Sequence, residues 1–456
     1  MMRIGSNRAS RRQFLRVASA FSAAGIASPF ALQLAALGEA SAQISTDYKA
    51  VVCVFLYGGN DHNNTVIPFD TASYNYYRGI RGAIARDVID LQEVVPVTSL
   101  GGRQIALPKE LAPLKALFDA NHCAIIANVG TLIVPTSLTQ YKNQSVPLPP
   151  KLFSHNDQQS FWQSSSPEGA QNGWAGRMGD LLMSGNGKSV FTCVASGSTD
   201  VLLAGRVSRQ YAVTTAGSVA MNVLAAGANS AGGATATIRQ LMTEGRAHLL
   251  ESELNQTNKR SIDADTDLRA ALAAAPPLAT VFPSNRLALN LQIIARMISA
   301  GGALQARRQI FFTSLGGFDT HDNLLADQPP LHTQLAEAID AFHRATVELG
   351  LADKVTLFTA SDFGRTLTSN GDGSDHGWGS YHFVVGDAVK GRNVYGTLPE
   401  ARLGTDTDVG NGRLLPTTSV DQYAATLGAW MGLTQSQLLD VLPNLANFPA
   451  KNLGFV

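Results

Sequence analysis

The chain is 456 residues long and balances 35 Lys and Arg against 35 Asp and Glu, for a formal net charge of zero. There is no basic stripe for nucleic acid and no acidic tail for a basic partner. After residue 42 no apolar run is long enough to make a permanent membrane span.

Residues 1–42 read as an export signal. Arg3 and Arg8 precede Ser10-Arg11-Arg12-Gln13-Phe14-Leu15-Arg16, a stretch rich in Ala, Ser and Leu follows from Val17 to Leu37, and Ala40-Ser41-Ala42 is a small-residue cleavage site. Paired arginines ahead of a mildly apolar run form the twin-arginine pattern. The alternative, a retained anchor, is disfavoured by Pro29 and by the cleavage site. The expected partner is therefore the twin-arginine translocase, and the expected destination is the periplasm or the medium. This route carries folded proteins, often with a metal or cofactor already loaded.

Residues 43–456 are expected to form one α/β domain. Short apolar runs without alternation predict strands covered on both faces. They are Ala50–Tyr57, Cys123–Val129, Ser189–Ala195, Gln309–Leu315, Lys354–Thr359 and Tyr381–Val385. Between them, helical stripes run through Leu111, Leu114 and Phe118, through Leu287, Leu291, Ile294 and Ile298, and through Leu331, Leu335, Ile339, Phe342 and Val347. Strand and helix alternate, which predicts a three-layer αβα sandwich around a mostly parallel sheet. Residues 197–282 read as an inserted cap. Its first part is rich in Ala, Gly, Ser and Thr, with loops and a short hairpin; Ile238–Arg269 is polar and helical. Cys53, Cys123 and Cys193 lie in strand-like runs with no zinc or disulfide spacing, and read as small buried hydrophobes.

Polar clusters follow the strands, where open α/β sheets keep their sites. They are Gly58–Asn64, Phe153–Asp157, Gly316–Asn323, Ser361–Thr366 and Asp372–Gly379. Aspartates at three strand ends, with histidines close by, can converge on one or two divalent metal ions, for which Zn, Mg, Mn and Ca are all candidates. Each Asp alone is equally a turn former or helix cap. His62, His155, His321, His376, His382 and His122 fall in or beside strand-end loops, whereas His248, His332 and His343 fall on helices and read as solvated helix faces. Arg365 either clamps an oxyanion or forms an ion pair that props its loop. Ser154 is either a nucleophile or the cap of the helix through Phe161. Trp162, Trp174 and Trp378 either wall a pocket or pack in the core.

Taken in order, Gly58-Gly59-Asn60-Asp61, Ser154-His155, Gly173-Trp174-Ala175-Gly176-Arg177, Phe318-Asp319-Thr320-His321, Ser361-Asp362-Phe363-Gly364-Arg365-Thr366 and Asp375-His376 resemble a bacterial family of twin-arginine-exported proteins, the domain of unknown function family 1501. That family is similar in fold to the alkaline phosphatase and sulfatase superfamily, whose members hold one or two divalent metals over the sheet and hydrolyse phosphate or sulfate esters. The resemblance implies an alkaline-phosphatase-like fold. It implies Asp61, Asp319, His321, Asp362 and His376 as metal ligands, with Ser154 in the nucleophile's place. Three departures stand out. Asp319 and His321 are closer in sequence than the usual spacing of that ligand pair. Phe363 occupies the position where the superfamily has a histidine after the second-metal aspartate, and no Cys-x-Pro-x-Arg motif exists, which argues against a formylglycine sulfatase. The expected function is an exported, metal-dependent hydrolase of small-molecule or polymer phosphate or sulfate esters, with Ser154 and Arg365 in the chemistry. The alternative is an inactive binding or assembly protein that keeps the fold.

Overall fold

The computed structural model describes residues 47–219, 221–224 and 234–456; the segment read as an export signal lies outside the described residues. A central strand, β1 (Lys49–Leu56), sets the architecture. Two-residue β2 (Ile67–Pro68), β3 (Leu91–Val94) and β4 (Ile105–Pro108) form a small separate sheet. The main sheet then takes β5 (Cys123–Gly130), β6 (Cys193–Ser196), β7 (Tyr211–Thr214), β8 (Gly217–Ser218), β9 (Arg308–Leu315), β10 (Val355–Ser361), β11 (Ser380–Val385), β12 (Val394–Tyr395) and β13 (Thr418–Ser419). Among the described residues it is ten-stranded, in the order β12-β5-β11-β10-β1-β9-β6-β7-β8, with β13 also on β5. β10, β1, β9, β6 and β7 run parallel, while β11 is antiparallel to both β10 and β5. The mostly parallel sheet expected from the unbroken apolar runs is thus present.

The helices are α1 (Thr71–Arg81), α2 (Ala112–Asp119), α3 (Leu138–Asn143), α4 (His155–Ser164), α5 (Trp174–Leu182), α6 (Ala234–Thr243), α7 (Leu249–Ala274), α8 (Arg286–Ser299), α9 (Leu324–Glu348), α10 (Val420–Trp430) and α11 (Gln435–Val441). β1 shows why its run has no polar alternation. Ala50, Val52, Val54 and Leu56 face a core shared with α2, α8 and α9, and Val51, Cys53 and Phe55 face a second core shared with α5, α10 and α11. Both faces are dry, so both sets of side chains are apolar, and three layers result.

Several local expectations change. The run Ser189–Ala195 joins the sheet only from Cys193, in the strand Cys193–Ser196; Ser189–Phe191 is a single 3-10 turn. Val347 is exposed and off the buried stripe of α9. His332 and His343 are buried rather than solvated: α9 packs against its neighbours α2 and α8 in one helical layer, and the two histidines hydrogen-bond Thr65 and Asp387. The stretch 197–282 supplies β7 and β8 to the edge of the sheet, and α7 packs on β8. The three cysteines are fully buried and unpaired, and burial pushes the Cys193 thiol up to about 12. The three tryptophans are core residues, each 1% exposed.

Candidate metal centre

The carboxyl ends of β1, β9 and β10 point the same way, so their following loops meet above one edge of the sheet. Gly58 makes this meeting possible. Its φ is +114°, and a Cβ there would lie 2.3 Å from the Asp319 backbone nitrogen. The start of α4 and the loop before β11 complete the group.

His155, Asp319 and His376 each offer a ligand atom, and these atoms all lie within 4.8 Å of one another. The ring orientations follow from the hydrogen bonds on their far sides. His376 Nδ1 is 2.8 Å from the Phe153 carbonyl oxygen, which can only accept, so Nδ1 carries the proton. His155 Nδ1 donates to Asp362 Oδ2 at 2.7 Å. In both neutral imidazoles Nε2 therefore bears the lone pair, and both lone pairs turn toward Asp319. His376 Nε2 is 3.1 Å from Asp319 Oδ1, and His155 Nε2 is 3.4 Å from Asp319 Oδ2. His155 Nε2 is buried and has no hydrogen-bond partner. Three acceptors facing one point, one of them orphaned, is the arrangement a cation satisfies. A ligand imidazole whose second nitrogen donates to a carboxylate or carbonyl is the usual outer-shell pattern.

The titration directions agree in part. Burial holds His376 below its usual range. The hydrogen bond that His155 donates to Asp362 raises His155 against burial, which works against the neutral form that ligates. Burial works to raise the Asp319 carboxyl, but Arg365, His155 and His376 outweigh it and hold it below its ordinary value.

The remaining expected site residues fall in different places. His321 stands beside the group, with Nε2 2.8 Å from His376 Nε2 and 3.2 Å from Asp319 Oδ1. Since His376 Nε2 has the lone pair, His321 Nε2 donates to it in this structure, a hydrogen bond that a cation on His376 Nε2 would replace. Asp362 holds His155; its Oδ2 also accepts from the Gly58 N–H, and its buried Oδ1 has no partner. Asp61 does not join the group. It is fully buried, with Oδ2 accepting from Arg81 Nη2 (2.7 Å) and Ser374 Oγ (2.6 Å) and Oδ1 accepting from the Asn64 N–H. Arg365 is also fully buried, donating through Nη1 to Asp319 Oδ1 and the Gly58 carbonyl and through Nε and Nη2 to the Ser374 carbonyl. Of its two expected roles, the geometry is that of a prop. Ser154 occupies the cap position of α4, but its hydroxyl donates to Asp157 Oδ2 (3.1 Å) and accepts no hydrogen bond from the helix backbone.

Sequence reasoning placed His155 in the Phe153–Asp157 cluster and among the strand-end histidines, but left it out of the expected ligand set. Phe363 explains the departure at its position. Its ring is buried with its centroid 4.7 Å from both the His155 and the His376 rings, and it lies so close to Gly59 (φ +78°) that a Cβ there would sit 2.4 Å from it. An apolar ring fills the space beside Asp362. The Gly173–Arg177 motif is structural: Gly176 lets α5 touch the Ala204 carbonyl, and buried Arg177 donates to the carbonyls of Ser164 and Val441.

Among solved structures the chain is similar to Ps i-CgsB in complex with k-i-k-neocarrahexaose, at 11% identity and TM-score 0.35, covering 88% of this chain and 76% of that one. It is similar to the PsFucS1 sulfatase from Pseudoalteromonas sp., at 11% identity and TM-score 0.31, covering 94% and 74%. A third likeness is to the phosphonate monoester hydrolase of Agrobacterium radiobacter, at 10% identity and TM-score 0.29, covering 85% and 74%. No curated protein matches the sequence. The family is settled by sequence: the chain belongs to the family described as Protein of unknown function (DUF1501), whose model matches residues 48–442.

Proposed function

We propose that this protein is an exported, metal-dependent hydrolase of phosphate or sulfate esters that works with one divalent cation. The observation that carries the reading is the convergence of His155 Nε2, Asp319 and His376 Nε2, with both imidazoles oriented from behind by Asp362 and the Phe153 carbonyl. Two imidazoles and one carboxylate suit Zn²⁺ or Mn²⁺ better than Ca²⁺ or Mg²⁺, which prefer all-oxygen shells. When bound, such an ion supplies Lewis acidity toward an ester oxygen. Phe363 leaves no second imidazole beside Asp362, which supports one ion and not two. Arg365 fixes Asp319. His321 Nε2–H, at the exposed side of the group, is placed to give its proton to a leaving oxygen. Ser154 is the nucleophile in this reading, and Asp157 already accepts its hydroxyl hydrogen.

The twin-arginine segment supports export. Among the described residues no helix is long and apolar enough to cross a membrane. The second reading, a binding protein that kept the fold without the chemistry, is favoured by one observation: the Arg365 guanidinium is committed to protein acceptors, so it is not free to steady an oxyanion. Metal analysis of the purified protein, followed by nitrophenyl phosphate, phosphodiester and sulfate assays with added Zn²⁺ or Mn²⁺, separates them. One ion per chain lost in Asp319→Ala, together with ester cleavage lost in the same variant, is the expected result. A metal-free folded protein overturns the metal reading, and a loaded protein that cleaves no ester leaves the binding reading.

A further inference from the structure

A second group of metal-ligating side chains lies at the opposite edge of the sheet. His122 immediately precedes β5, Asp387 follows β11, and His343 lies on α9. Because β11 is antiparallel to β5 and β10, its end lies beside their starts, across the sheet from the loops described above. His122 Nδ1 is 2.7 Å and His343 Nε2 is 2.9 Å from the same oxygen, Asp387 Oδ1, and the two rings are 4.8 Å apart. Backbone hydrogen bonds fix His122 and Asp387, and His343 is held by its helix. The Gly386 N–H donates to the His122 carbonyl, the Asp387 N–H to the Ala352 carbonyl, and the His122 N–H to the Leu117 carbonyl. Gly386 has φ +149°, and a Cβ there would lie 2.5 Å from the Val355 carbonyl oxygen, so the turn that delivers Asp387 depends on glycine.

We propose that His122, His343 and Asp387 form a second binding site for a borderline divalent transition ion of the Zn²⁺ class. The ligand set is two imidazoles and a carboxylate, the chemistry such ions select. For bond lengths of ~2.0–2.2 Å, the donor atoms of a tetrahedral ion stand ~3.3–3.5 Å apart, roughly 0.4–0.8 Å wider than the present 2.7 and 2.9 Å separations. His343 is nearly buried and anchors the site, whereas His122 and Asp387 are each 34% exposed and can open by that amount. The same exposure leaves the fourth position to water or to a small ligand. The ion would tie the start of β5, the C-terminal part of α9 and the turn after β11, three segments distant in sequence. This inference does not depend on the ester-hydrolase reading, since the two groups share no residue.

The test uses the full chain, stripped of metal and titrated with Zn²⁺ by calorimetry. The Asp319→Ala/His376→Ala variant, which lacks the first group, is expected to bind about one Zn²⁺ per chain, and Zn²⁺ is expected to raise its unfolding midpoint. Adding His122→Ala should weaken that binding at least ~10-fold and abolish the midpoint shift. Asp387→Asn, which keeps the size and one acceptor of the side chain, is the second variant should His122→Ala fail to fold. No Zn²⁺ binding by Asp319→Ala/His376→Ala, or binding unchanged by both His122→Ala and Asp387→Asn, overturns the site.

Discussion

Replacing Asp61 by Asn separates two roles that a strand-end aspartate can have. If Asp61 pairs with Arg81, the change costs stability and leaves metal content alone; if it ligates, the reverse holds. The pair has 0% side-chain exposure on both partners, and the carboxylate accepts from Arg81 Nη2, Ser374 Oγ and the Asn64 N–H. Losing one charge of such a pair costs about 3–5 kcal/mol, because the other remains buried and unpaired. Arg81 Nη1 keeps the Thr366 and Leu367 carbonyls as acceptors, so we expect the lower end, about 3 kcal/mol. Burial acts to raise the Asp61 carboxyl, and Arg81 with His62 and Ser374 outweighs it, leaving it below its ordinary value of 3.8. A depressed carboxyl stabilises above that value and stops doing so as pH falls through the folded pKa, so Asp61→Asn should also lose this part of the acid sensitivity. Urea unfolding followed by circular dichroism reads the stability, and elemental analysis of the folded variant reads the metal. Unchanged unfolding free energy together with lost metal would refute the structural role.

Three further outcomes are expected. Asp362→Asn removes the anionic partner of His155 Nδ1 and should weaken metal binding about 10–100-fold with little change in fold, measured by competition with a chelating dye. Gly58→Ala forces a Cβ against the Asp319 backbone and should both destabilise the protein by about 1–3 kcal/mol and lower metal occupancy; full occupancy would show that the β1 turn does not position Asp319. Burial holds His62 at about 4 and His332 and His382 at about 3, against an ordinary 6.5. The unfolded chain thus binds more protons than the folded one between these values, so stability should fall as pH drops below about 6.5, and a His382→Phe variant should show a shallower decline in urea midpoints from pH 6 to 4.

The large strands were legible because burial on two faces leaves a run of apolar residues with no competing reading, as in Val51–Leu56. Two-residue strands such as β12 and β13 leave no such trace, since they are set by what β5 offers them. At Ser189–Phe191 the apolar residues serve a turn, and composition alone does not separate the two. The strand-end loops that carry the Asp and His residues were visible, but not which of them meet. Asp61 and Asp319 follow strands in the same way, and Arg81, twenty residues on from Asp61, is what takes one of them out of the group. His155 lies at the start of a helix, and its place beside Asp362 and Asp319 comes from contacts more than 160 residues away.

The Phe363 ring also bears on charge. A hydrocarbon wall stands where a second cation would otherwise balance negative charge, and Asp362 and Arg365 carry opposite signs. In the proposed hydrolase, one divalent ion against Asp319 and two neutral imidazoles would leave a single net positive charge among these ligands. Such a centre would match an ester that bears one negative charge, a sulfate monoester or a phosphodiester, and would leave the second charge of a phosphate monoester without a counterpart.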